Sequence, residues 1–197
     1  MSLKSEARRT ALVAGQVDYT LGSIHVEGPV IERETGKEPN LLRWGKYGFN
    51  IYQNGLVCRK KYMETHPEIV EGFTRAYVRG WSFYIENPVE AVNIIANMYP
   101  ELDKETEQLA WKYVMSIRYP PKVAKDGKCV FDPELVEETI DTIHEAFDIP
   151  MEELPKPEDI YTNEFVKDLP EEILHPEPKD GYTYEDVLKA YEEFFGS

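Results

Sequence analysis

Eight residues carry side chains suited to holding a flat, nitrogen-bearing ring. Tyr19, Ser23 and Glu27 stand in one stretch, and Trp44, Tyr47, Asn50, Tyr52 and Asn54 in another. Aromatic faces stack on such a ring, while amide, hydroxyl and carboxylate groups pair with its nitrogens and amino substituents. This is capture chemistry, with no bond made or broken. Each residue also has a plainer use. Trp44 suits a core, Asn50 and Asn54 suit turns that need left-handed backbone angles, and Glu27 suits a solvated helix start. Residues expected of an enzyme do not line up. His25, His66, His144 and His175 show no pairwise metal-ligand spacing. There is no G-x-S-x-G elbow and no phosphate-binding loop. Glu137, Glu138, Asp141 and Glu145 recur at helical spacing and read as a solvated acidic face. No cofactor, metal or catalytic residue is therefore expected.

The elements that must position these residues follow from periodicity. Residues 4–15 read as a helix with Gly15 as its stop. Val17 to Gly22 alternates like a short strand, and Leu41 to Trp44 and Leu56 to Arg59 read as a second and a third. Between them, residues 24–35 suggest a helix interrupted near Gly28-Pro29, since proline lacks the amide a helix interior needs. Gly45 to Gly55 is a loop. From residue 65 the spacing turns helical: Ile69, Val70, Phe73, Ala76, Tyr77, Gly80 and Trp81 share a face. Thr65 with Glu68 reads as a capping box before a helix ending at Gly80-Trp81. Asn87-Pro88 starts a second helix, with Asn87 as its cap. Leu109 to Ile117 gives a third and Asp132-Pro133 starts a fourth. Residues 148–181 hold six prolines and read as an extended surface strap. Thr183 with Asp186 opens a last short helix containing Val187, Leu188, Tyr191, Phe194 and Phe195.

Composition narrows the partners. The chain has 197 residues, 42% of them hydrophobic, enough for a packed core. Its net charge of −15 argues against nucleic acid and anionic lipid. The charge is uneven: residues 1–80 hold 12 Lys/Arg against 9 Asp/Glu, and residues 81–197 hold 10 against 28. Cys58 lies in an apolar run and reads as a small buried hydrophobe. Two cysteines make no disulfide framework, and a single Cys58–Cys129 bridge stays open. No apolar run approaches the roughly 18 residues of a membrane span. Met1-Ser2-Leu3-Lys4 runs straight into a polar helix with no signal-peptide pattern. For an exported protein this would mean a truncated or mature chain.

The order of these segments resembles the C-terminal part of the periplasmic solute-binding proteins of ABC transporters. Arg9-Thr10-Ala11-Leu12-Val13-Ala14-Gly15-Gln16-Val17-Asp18 is similar to the family's helix, glycine turn and strand. Tyr47-Gly48-Phe49-Asn50-Ile51-Tyr52-Gln53-Asn54-Gly55-Leu56-Val57 is similar to the segment returning from its second lobe to its first. His66-Pro67-Glu68-Ile69-Val70, Gly80-Trp81 and Glu86-Asn87-Pro88-Val89-Glu90-Ala91 resemble its helix pair. Ile160-Tyr161-Thr162-Asn163-Glu164-Phe165 resembles a late motif. The nearest branch binds the pyrimidine precursor of thiamine.

The resemblance implies an α/β chain with a partial periplasmic-binding-protein-like fold of type II. Residues 1–60 would be a remnant of the second lobe with the hinge return, residues 61–150 the helical part of the first lobe, and residues 151–197 the strap and terminal helix. It implies capture of a small aromatic heterocycle, or of a sulfonate, nitrate or riboflavin-type ligand. It further implies a permease as partner and a periplasmic or extracytoplasmic location. A related eukaryotic branch makes the thiamine pyrimidine with an active-site histidine and a cysteine-rich motif. That motif has no match here, so no enzyme is expected. The first-lobe sheet has no counterpart either, so the apolar helix faces need another cover: a homodimer, or a missing N-terminal lobe. A non-catalytic acidic helical interaction module derived from such a protein is the competing expectation.

Overall fold

The computed structural model describes residues 5–49, 51–52, 54–179 and 181–195. Among them the regular structure is helical: α1 (Ser5–Val13), α2 (Ile24–Thr35), α3 (Lys60–Thr65), α4 (Pro67–Glu86), α5 (Pro88–Met98), α6 (Lys104–Arg118), α7 (Pro121–Asp126), α8 (Pro133–Phe147), α9 (Pro157–Ile160), α10 (Glu171–Leu174) and α11 (Tyr184–Phe195). Short 3-10 turns form at Trp44–Tyr47 and Met151–Glu153. The chain divides into two compact units. One holds residues 1–42, 83–122 and 177–197; the other holds residues 43–82 and 123–176.

The first unit is built around α6, on which α2, α5 and α11 pack. Ala110, Trp111, Tyr113, Met115 and Ser116 of α6 are all buried. A helix apolar on several sides takes the central place because only there can every side be covered. Asp103 opens it by accepting the Thr106 amide at 3.1 Å. Tyr113 is wholly enclosed, with Ile24, Leu41 and Leu109 against it. Gly28 is what lets α2 approach: a Cβ there would lie 2.6 Å from Tyr113 Cε1. Val187 of α11 is also fully buried. The Thr183–Asp186 box forms as expected, the Thr183 amide donating to Asp186 Oδ2 at 2.6 Å and the Asp186 amide to Thr183 Oγ1 at 3.2 Å.

The second unit has its own core of Val78, Val166, Leu169 and Leu174, with Val130 and Ile173 packed on it. Asp132 starts α8 by accepting the Glu134 amide at 3.1 Å, and α8 buries Val136 and Ile140. Lys128 is buried as well, its Nζ donating to the Val78 carbonyl at 2.7 Å. Residues 160–176 are thus more than a surface strap, because their scattered apolar side chains complete this core.

Several expectations are corrected. The runs 17–22, 41–44 and 56–59 are not strands; no strand forms among the described residues. A strand exists through lateral hydrogen bonds, and none of these runs meets a partner. Most of their apolar side chains stay in water: Val17 and Leu21 are exposed, as are Leu42, Leu56 and Val57, and only Leu41 packs inward, on Tyr113. The α/β character expected from them gives way to a helix-rich chain. α2 runs unbroken through Pro29. Proline there removes a single amide near the helix start, and the buried Gly28-Pro29-Ile31 face holds the helix on α6. α4 continues past Gly80-Trp81 to Glu86. Thr65 caps nothing downstream, since its hydroxyl turns back to the Lys61 carbonyl at 2.8 Å. Asn87 makes no side-chain cap; its Nδ2 donates to the Phe83 carbonyl at 3.3 Å. Cys58 is exposed, and no disulfide joins it to Cys129. The side chains of Tyr191, Phe194 and Phe195 lie outside the described ones.

Candidate functional site

The expected ligand residues divide between the two units. In the first, Tyr19 is 84% exposed. Ser23 is also exposed and stands at the start of α2, where its carbonyl accepts the Val26 and Glu27 amides, both at 2.9 Å. Glu27 is neither solvated nor open to a ligand. It is 6% exposed and paired with Arg9 Nη1 at 3.2 Å. A buried carboxylate in such a pair is committed to it, because losing the partner would leave a charge stranded.

In the second unit, the 3-10 turn Trp44–Tyr47 is closed by Gly48, whose φ of 87° needs glycine. The turn projects Trp44 (57% exposed) and Tyr47 (65%) into solvent, with Phe49 also exposed just beyond it. Trp44 is therefore not a core residue. Tyr52, by contrast, is turned inward. Its hydroxyl accepts the Asp132 amide at 2.8 Å, and its ring meets Phe131 edge-on with centroids 5.2 Å apart. Phe131 in turn meets Tyr161 at 5.3 Å. Asn163 grips the Phe131 backbone twice: its Oδ1 accepts the amide at 2.8 Å and its Nδ2 donates to the carbonyl at 2.9 Å. Asn54 is exposed. Asn50 lies outside the described residues.

The arrangement in the second unit is thus a set of exposed rings at 44–49, followed by a tethered ring at 52. Tyr52, Phe131, Tyr161 and Asn163 fasten the end of that segment to the start of α8. Sequence reasoning missed Phe131, and it used Tyr161 and Asn163 only as part of a late motif. Nothing local ties residue 52 to residue 131, so no spacing rule reveals the pair.

The first unit also presents an open groove of about 520 Å³, lined by Glu38, Gln108, Lys112, Tyr182, Asp186 and their neighbours. Lys112 and Glu38 among these are already paired. Lys112 Nζ donates to Glu32 at 2.9 Å and to Glu38, and the Tyr113 hydroxyl donates to Glu32. Burial works against the Lys112 charge, but the bonds from Glu38 and Glu32 outweigh it and hold its pKa above the ordinary lysine value. A lysine so held stays protonated and is no nucleophile. Glu107 nearby is pushed up by burial and by Asp103. Among the described residues, no group of three His, Cys, Asp or Glu side chains converges as a metal site would. No helix among them is long and apolar enough to cross a membrane.

Residues 3–91, which include both sets of ligand candidates, match the family described as NMT1/THI5 like. Over 87 residues the chain is 31% identical to the formylaminopyrimidine-binding protein of Halalkalibacterium halodurans, covering 43% of this chain and 26% of that protein. Over 91 residues it is 32% identical to the riboflavin-binding protein RibY of Chloroflexus aurantiacus, covering 46% of this chain and 25% of that one. The chain thus spans about a quarter of the length of these relatives. No solved structure matches it significantly. The resemblance to this family thus holds over residues 3–91, less than half of the chain.

Proposed function

We propose that this chain is a solute-binding component of an ABC importer that captures a small planar nitrogen heterocycle and releases it unchanged. The observation that carries this reading is the ring-bearing segment 44–54. It lies inside residues 3–91, which match the NMT1/THI5-like family, and two relatives of the chain are named for binding a pyrimidine and a flavin. Both ligands are flat, with nitrogens along their edges. Trp44 and Tyr47 would stack on the ring, with Asn54 pairing to an edge nitrogen. Tyr52 would position the segment rather than touch the ligand, because its hydroxyl is already engaged by Asp132. A thiamine pyrimidine precursor is the favoured ligand, with a riboflavin-type ring the next choice. Such a role needs a membrane permease as partner and a periplasmic or extracytoplasmic location for this chain.

The test is titration of the full chain with formylaminopyrimidine and with riboflavin, followed by tryptophan fluorescence and calorimetry. Saturable binding of one of them is expected. Trp44→Ala and Tyr47→Ala should each weaken it by about 0.5–1.5 kcal/mol, the worth of one aromatic contact. Absence of saturable binding by either ligand would remove the proposal. Unchanged affinity in both variants would remove the site. A second reading, an acidic helical interaction module, is favoured by one observation: Ile69 and Phe73 of α4, and Ile94, Ile95 and Met98 of α5, all remain exposed. It predicts protein contacts with no heterocycle binding.

A further inference from the structure

The solvent face of α4 within the second unit has an unusual composition. Ile69 is 49% exposed, Phe73 63% and Tyr77 38%. Between them stand Gly72, Ala76 and Gly80, all exposed. A Cβ at Gly72 or Gly80 would meet nothing within 4 Å. Glycine inside a helix costs about 1 kcal/mol relative to alanine, and nothing within the chain requires it at either position. The opposite face carries Val78, wholly buried in the unit's own core. Ile69, Phe73, Ala76 and Gly80 follow the alternating four- and three-residue steps of a coiled-coil seam.

We propose that α4 forms a homodimer seam, in which two copies of this helix pack antiparallel across this face. Centred between Phe73 and Ala76, the antiparallel register sets Ile69 level with the partner's Gly80 and Phe73 level with the partner's Ala76. Each large side chain then fills the space a small one leaves, and the reciprocal contact repeats it by symmetry. The parallel register does the opposite, with Phe73 on Phe73 and Gly80 on Gly80. Charge selects the same arrangement. Glu68 and Arg79 flank the stripe on one side, near opposite ends. Neither forms an ion pair within the chain among the described residues. Antiparallel packing brings Glu68 of one copy beside the partner's Arg79 along the same rim. A parallel pair would put the two copies of this flank on opposite rims and leave Glu68 and Arg79 unmatched.

Area sets the strength. From Ile69 to Gly80 the seam is roughly 18 Å long at 1.5 Å per residue. It buries less than the roughly 800 Å² per partner of a standard stable interface. A reversible dimer in the micromolar range is therefore expected.

Sedimentation velocity of the full chain, from low micromolar to several hundred micromolar, is the direct test. The expected result is a concentration-dependent monomer–dimer equilibrium. Gly80→Leu should abolish the dimer while raising monomer helicity, because the added side chain meets nothing in the monomer. Arg79→Glu should weaken association by about tenfold or more, as like charges meet. Glu68→Arg combined with Arg79→Glu should restore it. A chain that stays monomeric throughout would overturn the proposal and leave this face to a different protein surface. Dimerisation insensitive to Gly80→Leu, or a charge reversal without rescue, would overturn the antiparallel seam. Heterocycle titration reads the other unit-two segment, 44–54, so the two proposals fail separately.

Discussion

Gly28→Ala is expected to destabilise the first unit, against the helix propensity of the two residues. Alanine in place of glycine inside a helix should stabilise by about 1 kcal/mol. At position 28, however, the new methyl would sit 2.6 Å from Tyr113 Cε1 and 2.8 Å from Cδ1. Such approaches force something to move. The Tyr113 ring has little freedom to do so: it is wholly buried against Ile24, Leu41 and Leu109, and its hydroxyl is bonded to Glu32. Overpacking a tight core costs about 1–3 kcal/mol, and two ring atoms inside 3 Å put this case at the upper end. The net loss is then about 2 kcal/mol, a fall in Tm of roughly 4–8 °C for a chain of this size. Thermal and urea unfolding by circular dichroism would measure it, with Gly72→Ala in dilute protein as the reference that should gain stability. Tyr113→Leu should relieve the clash, so the double variant should lose less than the sum of the singles. Gly28→Ala at or above the wild-type Tm would refute the close approach of α2 and α6.

Two further outcomes are expected. The His25 pKa is lowered from 6.5, first by burial and then by Arg118, and its Nδ1 is buried without a hydrogen bond. Its folded-state value lies below the unfolded one, so its contribution to stability is intact above 6.5 and is lost as pH falls through the folded value. His25→Gln should flatten that part of the stability–pH curve, and an unaltered slope would exclude His25 as the source. In the second unit, Asn163→Ala should cost about 1–3 kcal/mol by leaving the Phe131 amide and carbonyl unpaired. Urea unfolding reads the loss, and near-neutrality would show that the grip on Phe131 is not needed.

What could be read from the sequence depended on how local each interaction is. The Asp132-Pro133 start and the Thr183–Asp186 box involve residues two or three apart, and both are formed. Thr65 with Glu68 has the same spacing, but the Thr65 hydroxyl has a competing carbonyl one turn back, at Lys61, and takes it. The alternation at 17–22 and the apolar run at 56–58 are real. Alternation makes a strand only when another strand lies alongside, and that condition is invisible in the run itself. Val166, Leu169 and Leu174 follow no regular period, so their role as a core could not be seen. The segment 44–54 was legible as a place rich in rings. The division of labour within it, Trp44 and Tyr47 outward and Tyr52 tied in, rests on contacts spanning about eighty positions.

The interleaving of the two units has a consequence for how the chain is made. Val78 emerges from the ribosome early, but its core partners Val166, Leu169 and Leu174 emerge last among the second unit's residues. At about 5–20 residues per second this is a wait of roughly 5–20 s. The first unit waits longer still, because Val187 and Tyr182, which stacks near Trp111 at 4.5 Å, come after every residue of the second. Neither core can be finished before these residues are made, and a product ending before Val166 would carry neither. Through that interval the inward face of α4, Val78 with it, is open to whatever chaperone meets it first.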